Sequence, residues 1–247
     1  MIPKFSIITV TYNAEASIEG TIQSVISQKF KSFEYIIIDG DSTDHTKTIL
    51  SNYKKQIDHL ISEKDQGLYH AMNKGIRAAN GEFLLFLNAG DRFLNDSVLS
   101  EIDSAISPKT RIVSADFIKV KEEGDYNGRY IKTKACTITN LRKDFAACHQ
   151  TVFIHRSVVA EYDLNYKILA DYKWVVQASL KCKLESIVYF NKAIVYYLDG
   201  GLSAQYAKQN FLERIRLHQE FFGRMQVLKN IPNYLRRLLR ELKRLLS

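Results

Sequence analysis

Four polar side chains, Asn13, Asp39, Asp65 and Asp91, each stand just beyond a short apolar or β-branched run of this 247-residue chain. Carboxylates and amides at such places suit two tasks. They can hydrogen-bond a base and ribose, and they can hold a hard divalent cation against a diphosphate. Mg²⁺ and Mn²⁺ take oxygen ligands and commonly use one or two carboxylates, with substrate phosphates supplying the rest. A single polar strand end is usually an ordinary turn, but four in corresponding positions point to a site.

The apolar pattern predicts the elements that must position these groups. Residues 5–10 read as a strand ending on Thr11, Tyr12 and Asn13, and Ile18, Ile22, Val25 and Ile26 put one stripe on a helix over 14–28. A second strand at 34–38 ends on Asp39. Ser42 or Thr43 is expected to cap the helix over 44–55, with Asp44 a turn and cap residue. A third strand at 57–62 leads to Asp65 and to a helix over 68–80 stopped by Gly81. Phe83 to Leu87 has no polar alternation, so it predicts a strand buried on both faces, and it gives way to Asn88, Ala89, Gly90 and Asp91. Repeated strand, polar loop and helix specify an α/β fold with a doubly wound, mostly parallel sheet, in which ligands bind beyond the carboxyl ends of the strands. After residue 91 the pattern loosens. It allows a helix over 97–106, a hairpin-like excursion over 111–134, a strand at 150–154, a helix over 171–180 and a β-rich stretch over 184–198.

Composition narrows the class. An apolar fraction of 46% supports a packed core, and no apolar run reaches the length of a membrane-crossing helix. The N-terminus lacks the pattern of a signal peptide, and Cys136, Cys148 and Cys182 have no Cys-x-x-Cys spacing, which predicts free thiols and a cytoplasmic location. The net charge of +8 is concentrated in residues 211–247, where nine Lys/Arg face three Glu, leaving +2 for the remainder. With so little charge outside the tail and no basic-aromatic module, no nucleic-acid partner is expected. Apolar residues 234, 235, 238, 239, 242, 245 and 246 form a stripe with Arg236, Arg237, Arg240, Lys243 and Arg244 between them. That pattern favours an amphipathic helix lying on an anionic membrane surface; packing onto the domain and self-association are the other readings.

Several common sites are absent. No Gly-x-Gly-x-x-Gly or Gly-x-x-x-x-Gly-Lys-Ser/Thr turn follows the first strand, and there is no Gly-x-Ser-x-Gly or His-Glu-x-x-His. What is present, in order, is Ile7-Ile-Thr-Val-Thr-Tyr-Asn13, Ile37-Ile-Asp-Gly-Asp-Ser-Thr-Asp44, Asp65-Gln-Gly-Leu-Tyr-His-Ala-Met-Asn-Lys-Gly75, Phe86-Leu-Asn-Ala-Gly-Asp91, Cys148-His-Gln150, Ala170-Asp-Tyr172 and Gly200-Gly-Leu-Ser203. These segments resemble the successive motifs of family 2 glycosyltransferases, and among them bacterial enzymes that extend surface polysaccharide or lipopolysaccharide chains. The resemblance implies the GT-A fold over residues 1–204, with 1–91 as the nucleotide-binding half, 92–204 as the acceptor-binding half and 205–247 as the basic helical tail.

It also implies roles. Thr11, Tyr12 and Asn13 would line the nucleotide pocket, Asp39 would meet the base, and Asp65 would meet base or ribose. Asn73 would reach toward the nucleotide, and Asp91 would bind Mn²⁺ or Mg²⁺ through the diphosphate. Asn88, His149, Gln150 and Gly201 would face the sugars, and Asp171 would be the general base of an inverting transfer from a UDP-linked donor to a lipid-linked saccharide at the inner membrane face. The alternatives are a nucleotide-sugar-binding module without catalysis and a nucleotidyltransferase. The residues themselves leave His149 and Gln150 open between a structural pair and a sugar contact. The family's fuller Asp-x-Asp-Asp is here Asn88-Ala-Gly-Asp91, which predicts weaker metal affinity.

Overall fold

The computed structural model describes residues 2–122, 124–143, 148–200 and 206–245. Its centre is one sheet in the order β3-β2-β1-β4-β8-β6-β9-β5, with β7 paired to β6. The strands are β1 (Phe5–Thr11), β2 (Phe33–Asp39), β3 (His59–Ser62), β4 (Phe83–Phe86), β5 (Arg92–Phe93), β6 (Ile112–Val120), β7 (Arg129–Ile131), β8 (Val152–His155) and β9 (Ile187–Leu198). The helices are α1 (Ile18–Ile26), α2 (Thr46–Asn52), α3 (Leu68–Ala78), α4 (Val98–Ser104), α5 (Ile138–Leu141), α6 (Ala170–Leu180), α7 (Ala207–Phe222) and α8 (Arg224–Leu245).

β1 to β4 are parallel, as the βαβ pattern predicts. The second half is mixed: β8 runs antiparallel to β4 and β6, β7 pairs antiparallel with β6 in the expected hairpin, and β9 is parallel to β6. β1 is buried along its whole length because layers cover both faces. On one face Ile8, Ile36, Ile38 and Phe86 pack with Met72 of α3 and Trp174 and Val175 of α6. On the other, Ile7, Ile37 and Leu85 meet Ile18 and Ile22 of α1, Leu50 of α2 and Leu99 of α4. Gly75 lets α3 settle onto β1, since a Cβ there would lie 2.5 Å from Ile8 Cγ2.

Two local expectations are corrected. Helix α2 begins at Thr46, and it is Asp44 Oδ1 that accepts the Thr46 N–H at 2.9 Å, while the Ser42 hydroxyl turns to Asp39. The tail stripe is divided as well: Tyr234 is 1% exposed and its hydroxyl pairs with His218 Nδ1 at 2.8 Å, whereas Leu235 and Leu239 face outward. Helix α7 sits on the domain through fully buried Leu217 and His218.

Candidate active site

The ends of β1, β2 and β3 meet at one point. A Cβ on Gly40 would lie 3.2 Å from Asp65 Oδ2 and 3.3 Å from Tyr12 Cδ2, so these two side chains close tightly over the glycine. Tyr12 is 62% exposed and presents its ring at the rim. Asn13 takes the left-handed conformation, φ 47°, which Asn tolerates better than most residues. Its N–H donates to Ser42 Oγ and its Oδ1 accepts the Thr43 N–H, both at 2.8 Å, stitching the loop after β1 to the loop after β2. Asp65 Oδ1 is held by Lys74 Nζ at 2.6 Å and lies 3.2 Å from His70 Nδ1. Burial pulls the Lys74 ammonium down, but Asp65 and Glu63 outweigh it and hold it above its usual range.

Two expected nucleotide contacts have other work. Asp39 is fully buried, and its carboxylate accepts from the Ser42 N–H and hydroxyl and, at 2.6 Å, from the Ser62 hydroxyl, so it braces the loop after β2 rather than standing open to a base. Asn73 is corrected more firmly. Its Nδ2 donates to Tyr162 O at 3.0 Å and its Oδ1 accepts the Tyr162 N–H at 2.7 Å, which pins α3 to the segment before α6.

The turn after β4 closes with Asp91 N–H on Asn88 O at 2.9 Å. Gly90 within it has φ 96°, and a Cβ there would lie 2.8 Å from Leu198 Cδ2. An aspartate in this left-handed conformation would be strained, whereas Leu198 Cδ2 is the end of a flexible side chain that can move aside. Asp91 is 4% exposed, and its Oδ1 accepts the Leu198 N–H at 3.0 Å. Burial pushes its carboxyl up to about 7, against the opposing pull of that N–H and of His149.

Asp171, in the first turn of α6, brings the two halves together. Its Oδ2 lies 2.9 Å from His149 Nδ1, its Oδ1 accepts the Tyr172 N–H at 2.7 Å, and the Tyr69 hydroxyl of α3 stands 3.4 Å away. His149 Nε2 in turn lies 3.4 Å from Asn88 Nδ2, so one imidazole spans the turn after β4 and the start of α6. Gln150 is buried beside it and accepts from Cys148 Sγ at 3.0 Å. Gly201 lies outside the described residues.

Buried polar atoms in native proteins nearly always have partners, so those without one call for an explanation. Thr11 Oγ1, Asp65 Oδ2 and Asn88 Oδ1 are buried and have no partner; Thr11 is the last residue of β1, and Asp65 and Asn88 stand beyond β3 and β4. The Asn88 carbonyl and the Asp91 carboxylate form a hard-oxygen pair on one turn, a donor set that fits Mg²⁺ or Mn²⁺ completed by phosphate oxygens. Among the described residues no group of three or more His, Cys, Asp or Glu could hold a metal by itself.

The family model of Glycosyl transferase family 2 matches residues 6–163, which span this rim from β1 to the approach to α6. The chain belongs to that family. Among similar proteins is a PGL/p-HBAD biosynthesis glycosyltransferase of Mycobacterium bovis, 29% identical over 222 residues that cover 86% of this chain and 84% of that one. Among solved structures, S. aureus TarS 1-349 in complex with UDP superposes with a TM-score of 0.63 at 20% identity, covering 88% of this chain and 70% of that chain. Mannosyltransferase PcManGT from Pyrobaculum calidifontis, in complex with GDP-Man and Mn²⁺, gives 0.62 at 17% identity, covering 96% and 74%. The fold is therefore GT-A, and the protein is a glycosyltransferase.

Further residues of this glycosyltransferase's site were not foreseen. Glu213 of α7, 7% exposed, accepts the N–H groups of Lys167, Ile168 and Leu169 at 2.9, 2.9 and 3.0 Å and so fixes the entry to α6 just before Asp171. No local signal marks it, because its partners lie about forty residues earlier. The Tyr69 hydroxyl, besides standing near Asp171, donates to Ile168 O at 2.7 Å. Burial and then the Asp171 charge raise that phenol well above its usual range, so it remains a donor.

Proposed function

We propose that this enzyme transfers a sugar from a UDP-linked donor to a hydroxyl of a lipid-linked saccharide, with inversion at the anomeric carbon. The observation that carries the reading is the row of unpartnered buried oxygens, Thr11 Oγ1, Asp65 Oδ2 and Asn88 Oδ1, along one rim and leading to a partly exposed Asp171. Oxygens left without partners in the free protein are placed to receive donors and a cation from a ligand, while Tyr12 offers a ring face to a base. The UDP of the TarS complex supports the donor class, and the biosynthetic name of the mycobacterial relative supports a glycan-building role.

In this reading the acceptor oxygen attacks the anomeric carbon as the bond from that carbon to the diphosphate breaks. Asp171 takes the proton from the acceptor hydroxyl, and the departing oxygen keeps the bonding electrons. His149 and the Tyr172 N–H fix the carboxylate on both oxygens, so the geometry needed for proton transfer is set before substrate arrives. A divalent ion held by Asp91 and Asn88 would offset the charge developing on the diphosphate. Asp91, pushed up to about 7 by burial, would release its proton on meeting such a cation.

The deciding experiment is a panel of nucleotide sugars scored by protection against thermal unfolding, with and without Mn²⁺, followed by product analysis of the protecting donor. A UDP-sugar that protects and yields a product of inverted anomeric configuration supports the reading. Retained configuration would remove the single-displacement mechanism, and undiminished activity in excess chelator would remove the metal.

A further inference from the structure

We propose that helix α8 docks this enzyme on an anionic lipid surface through one defined face, which deepens the reading of a lipid-linked acceptor and rests on it. The face is not the one the sequence periodicity picks out. Met225, Leu228, Ile231, Leu235 and Leu239 are 67%, 57%, 40%, 47% and 59% exposed. Their spacing of three and four residues places them on one side of the helix. Asn230 and Tyr234, 3% and 1% exposed, mark the opposite side. There Asn230 Nδ2 donates to Arg142 O at 2.8 Å, and the Tyr234 ring stacks on His218 with centroids 5.5 Å apart. The inward face is thus already packed against the domain, and a second row of large apolar side chains is left in water.

Charge selects the occupant. Between residues 224 and 239 the charged side chains are Arg224, Lys229, Arg236 and Arg237, with no carboxylate among them. Two copies pairing through this stripe would bring like charges together along its margins, which is unfavourable. An anionic leaflet complements both the apolar row and its basic border. From Met225 to Leu239 the row covers about 21 Å at ~1.5 Å per residue, and no helix among the described residues is long and apolar enough to cross a membrane. The helix therefore lies along the surface. Because Asn230 and Tyr234 lock it to the domain, binding would also set the attitude of the catalytic rim toward lipid-linked acceptors.

The test is flotation of the full chain with vesicles of phosphatidylcholine alone and of phosphatidylcholine mixed with phosphatidylglycerol. The wild type is expected to float only with the anionic vesicles. Lys229→Glu/Arg236→Glu should weaken that binding by about five-fold or more for each charge reversed. Leu228→Ser/Leu235→Ser/Leu239→Ser should abolish it. Both variants change exposed side chains, so unfolding midpoints and protection by nucleotide sugars should match the wild type. Failure of the wild type to float on anionic vesicles, or equal flotation by both variants, would overturn the proposal. So would a dimer in sedimentation that the serine variant dissolves while vesicle binding persists, which would assign the face to a second copy. The glycosyl-transfer reading fails separately: it falls if no nucleotide sugar protects the wild type, and vesicle binding does not depend on that result.

Discussion

The nucleotide rim and the Asp171 cluster are built in opposite ways. At the rim, Thr11, Tyr12, Asn13 and Asp65 are set by successive βαβ units, and their bracing bonds run between adjacent loops or from a loop to the helix that follows it: Asn13 with Thr43, Asp65 with Lys74. Asp171 is held by His149 from the turn before β8, by Tyr69 from α3 and, through the backbone of residues 167–169, by Glu213 from α7. The proposed binding groups thus come from local repetition, whereas the proposed base depends on contacts that only the finished fold makes. Substitutions at the rim should disturb affinity, and substitutions around Asp171 should disturb turnover.

The largest effect should come from Asp171→Asn. Turnover is expected to fall by ~10²- to 10⁴-fold, the usual contribution of a positioned general base, while nucleotide affinity by titration calorimetry stays unchanged. A parallel loss of affinity would erase the distinction between the two regions. Gly90→Asp, which moves the turn after β4 toward the family's fuller acidic motif, should cost ~1–3 kcal/mol in urea unfolding, because the left-handed backbone opposes a side chain there. A stable variant with tighter Mn²⁺ binding would contradict this reading of the turn.

Asp65→Asn should weaken nucleotide binding by roughly tenfold, the worth of one hydrogen bond made by a charged group, with saturated turnover largely retained. Glu213→Gln should do the reverse, lowering kcat by several-fold with the donor KM unchanged, since it replaces one of the two acceptor oxygens at the entry to α6 with a donor. An equal effect on both parameters would reduce Glu213 to a general stabiliser.

The remaining effect concerns the pH dependence of stability. Burial raises Asp91 from an ordinary 3.8 to about 7 in the folded chain. Across that window the folded form holds a proton that the unfolded form has lost, so stability falls as pH rises from about 4 to 7 and levels off above. Melting temperatures of Asp91→Asn should lack this contribution, and added Mn²⁺ should diminish it in the wild type.

The first half of the fold was legible because its strands are continuous apolar runs and its helices carry a clear stripe, so β1 to β4 and the polar ends beyond them could be placed from spacing alone. The misreadings share a cause. Asn73 looked available because its partner, Tyr162, lies 89 residues away, and Asp39 looked open because the Ser62 hydroxyl that engages it comes from another strand. The tail stripe was read as one face because periodicity shows which residues share a side of a helix but not which side is already covered, and Tyr234 is covered by His218.

The sequence by itself determined the parallel βαβ half, the rim of polar strand ends and Asp91 as its metal candidate, since each depends on residues close along the chain. Tertiary structure decided which of those polar groups remain without partners, that Gly90 takes a left-handed backbone, and how Asp171 is fixed between His149 and a helix held by Glu213. Those outcomes depend on hydrogen bonds and close approaches between distant segments, which only packing the sheet against its helices brings about.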